Sequence, residues 1–256
     1  MGTVPVRTID DMFGDHWGEM PVSTMNRSLG ACHLLRGLPE AKIADLNQRC
    51  RWRNFEADQV IINLDDESTD VYFISWGDVR VTVFSETGKT VIIHDLKTGD
   101  HFGEFAAIDG GRRSASIVAL SRTVVGCMPA EMFRDLLAEF PEMAQIIMKR
   151  MVGSIRTLVE RVVEFSTLGV RNRIHAELLR LARAGRIVDG TGRISPPPTH
   201  AEIAARISTH REAVTRELKA LERSDLLERT RGAYVVKDIA ELERMVDNAR
   251  AGREES

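Results

Sequence analysis

Between residues 50 and 128 the chain reads as a series of short extended segments. In Val79-Arg80-Val81-Thr82-Val83, branched apolar residues alternate with polar ones, which turns one face toward a core. Val60-Ile61-Ile62, Val71-Tyr72-Phe73-Ile74, Val91-Ile92-Ile93, Ala115-Ser116-Ile117-Val118-Ala119 and Thr123-Val124-Val125 are further strand candidates. Gly77-Asp78, Thr87-Gly88, Thr98-Gly99-Asp100 and Asp109-Gly110-Gly111 punctuate them. Short strands at this spacing, with no long helix between them, predict an antiparallel sandwich or barrel rather than a parallel sheet.

The period then changes. Residues 129–137 read as a short helix, and after Pro141 a long one runs to about Leu168. Along it Met148, Met151, Ile155, Leu158, Val162 and Phe165 are spaced 3-4-3-4-3, the heptad of a helix that pairs with another helix. Beside them lies a second row, Ile147, Val152, Val159 and Val163, able to pack on the strand domain. An ordinary core helix with a wide apolar face is the alternative. A helix over residues 170–184 precedes the hairpin-like Asp189-Gly190-Thr191-Gly192, and Pro196-Pro197-Pro198 forces a fresh start. Thr199 with Glu202 has capping-box spacing. A short helix over 201–206, the turn Ile207-Ser208-Thr209, a second helix over 210–223 and a hairpin around Arg231-Gly232 make a winged helix-turn-helix. Ile203, Ile207, Val214 and Leu218 are expected to close its core. Ser208 stands where such a turn often has Gly, which is tolerable if its φ stays negative. The chain is thus α+β: a tail over 1–28, a strand domain over 29–140, a pairing helix over 141–168 and a helix-turn-helix module over 169–256.

Charge sharpens this picture. The net charge of −3 hides an asymmetry: residues 169–237 hold 14 Lys/Arg against 8 Asp/Glu, leaving 21 against 30 elsewhere. A basic module attached to an acidic remainder points to nucleic acid. With 43% apolar and 29% charged residues, the composition is that of a folded, water-soluble protein. No stretch approaches the roughly 20 apolar residues of a membrane-spanning helix. Residues 1–20 carry four acidic side chains and no apolar run, unlike a secretory signal. Three scattered cysteines, Cys32, Cys50 and Cys127, suit a reducing cytoplasm.

Two stretches carry chemistry. Arg211, Glu212 and Arg216 lie in the first two turns of the second helix, where recognition helices reach base edges, with Ala213, Val214 and Leu218 facing inward. Arg suits guanine and Glu can accept from cytosine; the alternative is an i,i+4 surface ion pair between Glu212 and Arg216. The other is Phe102-Gly103-Glu104-Phe105-Ala106-Ala107-Ile108 with Arg112-Arg113-Ser114-Ala115. A Gly opening a helical turn offers backbone N–H groups to an anion, and a returning Arg and Ser add a cation and a hydroxyl. Glu104 would repel a phosphate but suits a ribose hydroxyl. A Glu104–Arg113 ion pair at a turn is the alternative. There is no Walker A, His-Glu-x-x-His, Gly-x-Ser-x-Gly or Cys-x-x-Cys motif, so enzyme chemistry finds no support.

Phe102-Gly103-Glu104 followed by Arg113-Ser114-Ala115, Arg211-Glu212 with Arg216, and the hinge-like Leu168-Gly169-Val170-Arg171-Asn172-Arg173-Ile174 resemble, in order and spacing, the cyclic-AMP receptor protein family of bacterial transcription regulators, over roughly residues 30–240. The resemblance implies an N-terminal cyclic-nucleotide-binding β-roll, a dimerisation helix and a C-terminal winged helix-turn-helix. It implies that Gly103 and Ser114 hold the cyclic phosphate, Arg113 neutralises it and Glu104 binds the ribose 2′-OH, with Phe105, Ala106 and Ala115 completing the cassette. Where the family contacts adenine from the dimer helix, this chain has Leu158 and Val159, with Thr157 alongside, which leaves cyclic AMP and cyclic GMP both open. The DNA-facing set is Thr199, His200, Ser208, Thr209, His210, Arg211, Glu212, Thr215, Arg216 and Lys219.

The resemblance further implies a cytoplasmic homodimer on palindromic TGTGA-like half-sites, contact with RNA polymerase, and no membrane association. An iron–sulfur branch would need an N-terminal cysteine cluster, and Cys32 stands alone there; a haem branch could draw on His94 and His101, but the intact cassette favours a nucleotide, and no metal is expected. A cyclic-nucleotide sensor acting through protein partners, and a ligand-independent regulator with a vestigial pocket, are the competing functions.

Overall fold

A computed structural model describes residues 27–84 and 90–252, so all but the end of the expected tail lies outside the described residues. Two short 3-10 turns, Leu29–Ala31 and His33–Leu35, lead into α1 (Glu40–Arg49). Eight strands follow: β1 (Arg51–Phe55), β2 (Val60–Ile62), β3 (Val71–Trp76), β4 (Asp78–Phe84), β5 (Thr90–Lys97) and β6 (His101–Phe102), then after α2 (Glu104–Asp109), β7 (Ser116–Ala119) and β8 (Thr123–Met128). They form two four-stranded antiparallel sheets, ordered β1-β8-β3-β6 and β2-β7-β4-β5. Between the sheets Phe55, Ile62, Tyr72, Ile74, Val79, Leu96, Phe102, Ile117 and Val125 are buried together. Alternate residues of β3 point the other way: Val71 and Phe73 pack with Leu29, Leu34, Leu35, Phe133 and Ile147 in a second core. The strict alternation of β4 breaks between Val81 and Thr82, where its register against β5 shifts and both residues are buried. The Thr82 hydroxyl is satisfied by donating to the Val91 carbonyl at 3.0 Å.

The sequence pattern missed α1, β1 and β6. In β1 only Phe55 is buried, and β6 is two residues long, too short to show a period. The next two helices match expectation: α3 (Ala130–Glu139) and α4 (Pro141–Thr167), the latter with Pro at its first turn. The second apolar row of α4 needs correction. Met143 and Ile147 are buried on the β-roll, but Val152, Val159 and Val163 are 49–57% exposed because α4 has by then run past the sheet. Met148, Ile155, Leu158, Val162 and Phe165 of the heptad row are exposed too, while Met151 is partly taken up by the roll.

The C-terminal module comprises α5 (Val170–Ala184), the hairpin β9 (Arg186–Val188) and β10 (Thr191–Ile194), α6 (His200–Arg206), α7 (Arg211–Arg223), β11 (Leu227–Arg229), β12 (Tyr234–Val236) and α8 (Ile239–Arg250). Asp189 and Gly190 both have positive φ, the conformation of a tight type I′ hairpin. The wing is larger than expected, since β11-β12 continues into β10-β9 as one four-stranded sheet. Ile203, Ile207, Val214 and Leu218 are buried as expected, joined by Ile239, Leu242 and Val246 of α8. Thr199 and Glu202 form the reciprocal capping box. Ser208, however, has φ +50°, so the condition of a negative angle is not met: the turn from α6 to α7 needs a left-handed residue.

The module is tied to the roll by charge. Arg80 of β4 donates to Asp95 of β5 at 2.7 Å and to Glu202 of α6 at 2.6 Å, and Arg206 of α6 reaches back to Asp95. Behind them Glu177 of α5, 1% exposed, takes Arg180, Arg161 and Arg206, and Glu164 of α4 takes Arg180 and Arg250 at 2.8 Å each.

Two outcomes follow from these features. Glu177→Ala leaves Arg161 without a carboxylate and takes one of two carboxylate partners from Arg180 and from Arg206, and should cost about 3 kcal/mol, read as a lowered midpoint in urea unfolding; an unchanged midpoint would show that the network is energetically idle. Ser208→Gly removes the left-handed strain and should stabilise by up to about 1 kcal/mol, whereas Ser208→Val should destabilise; thermal melts of the pair check the sign.

Candidate functional site

A cavity opens between β4, β5, α2, the start of β7 and α4. It is lined by Gly103, Glu104, Phe105, Ala106, Arg113, Ser114 and Ala115, so every cassette residue expected from the sequence converges there. Apolar Ile62, Val81, Leu96, Phe102 and Ile117 form its floor. Gly103 caps α2 with φ +88°, and a Cβ there would lie 2.7 Å from Arg113 Nη1 and 2.8 Å from the Asp70 carbonyl oxygen, so only glycine lets the chain pass.

Arg113 is 4% exposed. Its Nε donates to Ser68 Oγ at 3.1 Å, Nη1 to the Gly103 carbonyl at 2.9 Å and Nη2 to the Asp70 carbonyl at 2.8 Å. The ring of Tyr72, stacked on Phe102, lies 5.8 Å beneath the guanidinium. All these partners are neutral, and the Glu104–Arg113 ion pair weighed from the sequence does not form. Burial pulls the Arg113 pKa below its ordinary value, and it pushes the Glu104 carboxyl up, opposed by a backbone hydrogen bond and by Arg150 and Arg113. A buried cation held rigid by neutral acceptors, with two N–H groups to spare, is built to receive an anion.

Thr157, Leu158 and Val159 do not line this cavity; they are exposed on α4, with the Thr157 hydroxyl donating to the Gly153 carbonyl at 3.2 Å. Arg150 lines it instead, together with His94 and His101. Arg150 escaped the sequence reading, although a charged residue beside Ile147 and Met151, on the side of α4 that meets the roll, was its visible mark. Among the described residues no group of three or more His, Cys, Asp or Glu is placed to hold a metal ion. The three cysteines are free and buried, which pushes Cys32 and Cys50 up to about 12 and Cys127 to about 11.

On the C-terminal module, Arg211, Glu212, Thr215, Arg216, Lys219 and Arg223 flank one open cleft along α7, whose other face buries Val214, Leu218 and Leu221. Neither Arg211, Glu212 nor Arg216 has an ion-pair partner among the described residues, so the Glu212–Arg216 surface pair weighed above is not made. His200 and Thr215 are tied to each other at 2.7 Å, and Thr215 donates to the Arg211 carbonyl at 3.0 Å, which braces α6 against α7. His210 caps α7 without a side-chain bond and is exposed beside Ser208; Thr209 donates its N–H to the Ala204 carbonyl at 3.0 Å.

Residues 52–140 match the family described as cyclic nucleotide-binding domain, and residues 172–245 the family described as Crp-like helix-turn-helix domain. The chain is 28% identical over 194 residues to the cAMP-activated global transcriptional regulator Vfr of Pseudomonas aeruginosa, covering 74% of this chain and 91% of Vfr. It is 25% identical over 179 residues to the cAMP-activated global transcriptional regulator CRP of Haemophilus influenzae, covering 70% and 80%. Among solved structures, a CooA mutant from Carboxydothermus hydrogenoformans superimposes with a TM-score of 0.71 at 19% identity over 83% of this chain and 94% of that one. FixK2 from Bradyrhizobium japonicum gives 0.65 at 19% identity, over 77% and 96%.

Proposed function

The chain belongs to the cyclic-AMP receptor protein family of transcription regulators, which are not enzymes, and on that premise we propose that it is a cytoplasmic homodimer whose binding to palindromic DNA depends on a cyclic nucleotide. The observation that carries the proposal is Arg113, a buried cation bonded to neutral acceptors in a cavity lined by the whole cassette. In this reading the phosphodiester of the ligand sits on Arg113 and Ser114 and the ribose 2′-OH on Glu104. The names of the curated relatives support cyclic AMP, and cyclic GMP stays open because Leu158 and Val159 replace the family's polar pair. The exposed row Met148, Ile155, Leu158 and Val162 supports pairing with a second copy. A two-fold dimer sets its two copies of α7 about one DNA turn, about 34 Å, apart. Arg211, Glu212 and Arg216 then read TGTGA-like half-sites, and RNA polymerase is the partner at promoters.

Calorimetry with both nucleotides, followed by operator binding for each complex, tests the proposal. Arg113→Leu forfeits charge-assisted bonds of about 1.5–3 kcal/mol each, so affinity for either nucleotide should fall about 100-fold or more; undiminished binding by a folded variant would show that the cassette is not the site. Arg216→Ala should lower specific affinity by about 10–100-fold per half-site and relax preference at one base position. Titration against single-base operator substitutions checks this, since a uniform drop with a shallower salt slope would mark Arg216 as a phosphate contact.

A further inference from the structure

A second polar wall of the cavity is made by residues outside the cassette. Arg150 is the α4 residue that lines it, and its Nη1 lies 3.2 Å from Nδ1 of His101. A guanidinium can only donate, so His101 accepts at Nδ1 and carries its proton on Nε2. Burial, with the charge of Arg150 beside it, holds this imidazole down at about 3, and the ring is neutral. His101 is 3% exposed, and its Nε2 has no hydrogen-bond partner among the described residues. Arg150 has no carboxylate within ion-pair distance among them. Arg150 therefore meets the cavity as a donor with N–H groups to spare, with His94 also in the lining and the His101 Nε2 buried away from it.

We infer that Arg150, supported by His101, reads the base of the bound nucleotide and selects a 6-oxopurine over a 6-aminopurine. The inference rests on the function proposed above, in which Arg113 and Ser114 take the phosphate and Glu104 the sugar. The base is then the part of the ligand left to meet α4, and Arg150 is what α4 presents. A 6-oxopurine turns two acceptors, O6 and N7, toward a guanidinium, the pairing by which arginine recognises guanine in DNA. A 6-aminopurine keeps N7 but sets an amino donor against the Arg150 guanidinium, which can only donate. A site built around hydrogen bonds rejects the analogue that leaves its buried groups unpaired far more strongly than an apolar pocket does. His101 fixes the guanidinium from behind without competing for it, because a neutral imidazole is a weaker partner than a carboxylate.

The test is calorimetric titration of the full chain with cyclic GMP, cyclic IMP and cyclic AMP, for wild type, Arg150→Met and Arg150→Lys, with thermal melts to establish folding. Cyclic IMP carries O6 and N7 without the 2-amino group, so it separates reading of O6 and N7 by Arg150 from reading of that amino group elsewhere in the site. Wild type should bind cyclic GMP and cyclic IMP about tenfold or more tightly than cyclic AMP. Arg150→Met should bring these ratios close to one, and Arg150→Lys should keep only part of them, since an ammonium cannot form the fork. A wild-type preference for cyclic AMP, cyclic IMP behaving like cyclic AMP, or ratios unmoved in a folded Arg150→Met protein would each overturn the inference. Should wild type bind none of the three, the proposed function itself fails, and the inference falls with it; binding with unmoved ratios removes the inference alone.

Discussion

Two strands carry opposite duties on their two faces, and the rest of the molecule is arranged around that fact. Val81 of β4 and His94 and Leu96 of β5 line the cavity, while Arg80 and Asp95, their neighbours in sequence, point the other way and hold α6 through Glu202 and Arg206. The side-chain period of a strand is two, so a one-residue slip would exchange the faces. The pairings Arg80–Asp95, Val81–His94 and Val79–Leu96 keep that register. Burial acts to raise the Asp95 carboxyl, yet the hydrogen bond from Arg80 and the charge of Arg206 hold it below the usual range. A step of one residue along each strand thus separates the cavity from the C-terminal module.

Charge is an apt material for this junction because it is specific without being strongly cohesive. A buried ion pair gains little net free energy over well-packed apolar groups, since desolvation offsets most of the attraction, but breaking it costs heavily. Apolar surface at the same place would glue the module to the roll in many orientations. The Glu177–Arg180–Glu164 chain fixes one orientation and couples α4, α5 and α6 within it. A ligand acts on such a system only through its differential affinity for two arrangements. The junction is where the alternative arrangement would have to break bonds.

How much of this was legible in the sequence depended on how local each feature is. The cassette was readable because Gly103, Glu104, Arg113 and Ser114 are close in sequence, and the fold brings them to one cavity. Helix α7 was readable for the same reason, its exposed Arg211 and Arg216 standing opposite buried Val214 and Leu218. Helix α8 went unread although Asp238 caps it and Ile239, Leu242 and Val246 sit at helical spacing. The φ of Ser208 was not foreseen because a serine does not advertise a left-handed turn as glycine does. The charge network was invisible in principle, since Arg80 and Glu202 lie 122 residues apart and nothing local distinguishes them from surface charges. Arg150 carried a local mark, a charge beside Ile147 and Met151, but only the folded roll shows that this turn of α4 meets a cavity.

Helix α4 brings these threads to one place, because its successive turns face different partners. Met143 and Ile147 are buried on the roll, Arg150 enters the cavity, Ile155, Leu158 and Val162 stand in water, and Arg161 and Glu164 join the network under the DNA-facing module. Arg150 and Glu164 are fourteen residues, about 21 Å, apart on this one helix. The exposed apolar row lies between those two points. Covering it with a second copy removes that apolar surface from water and restricts how α4 can move. In the function proposed above, ligand, second copy and DNA-facing module would all act on this one helix.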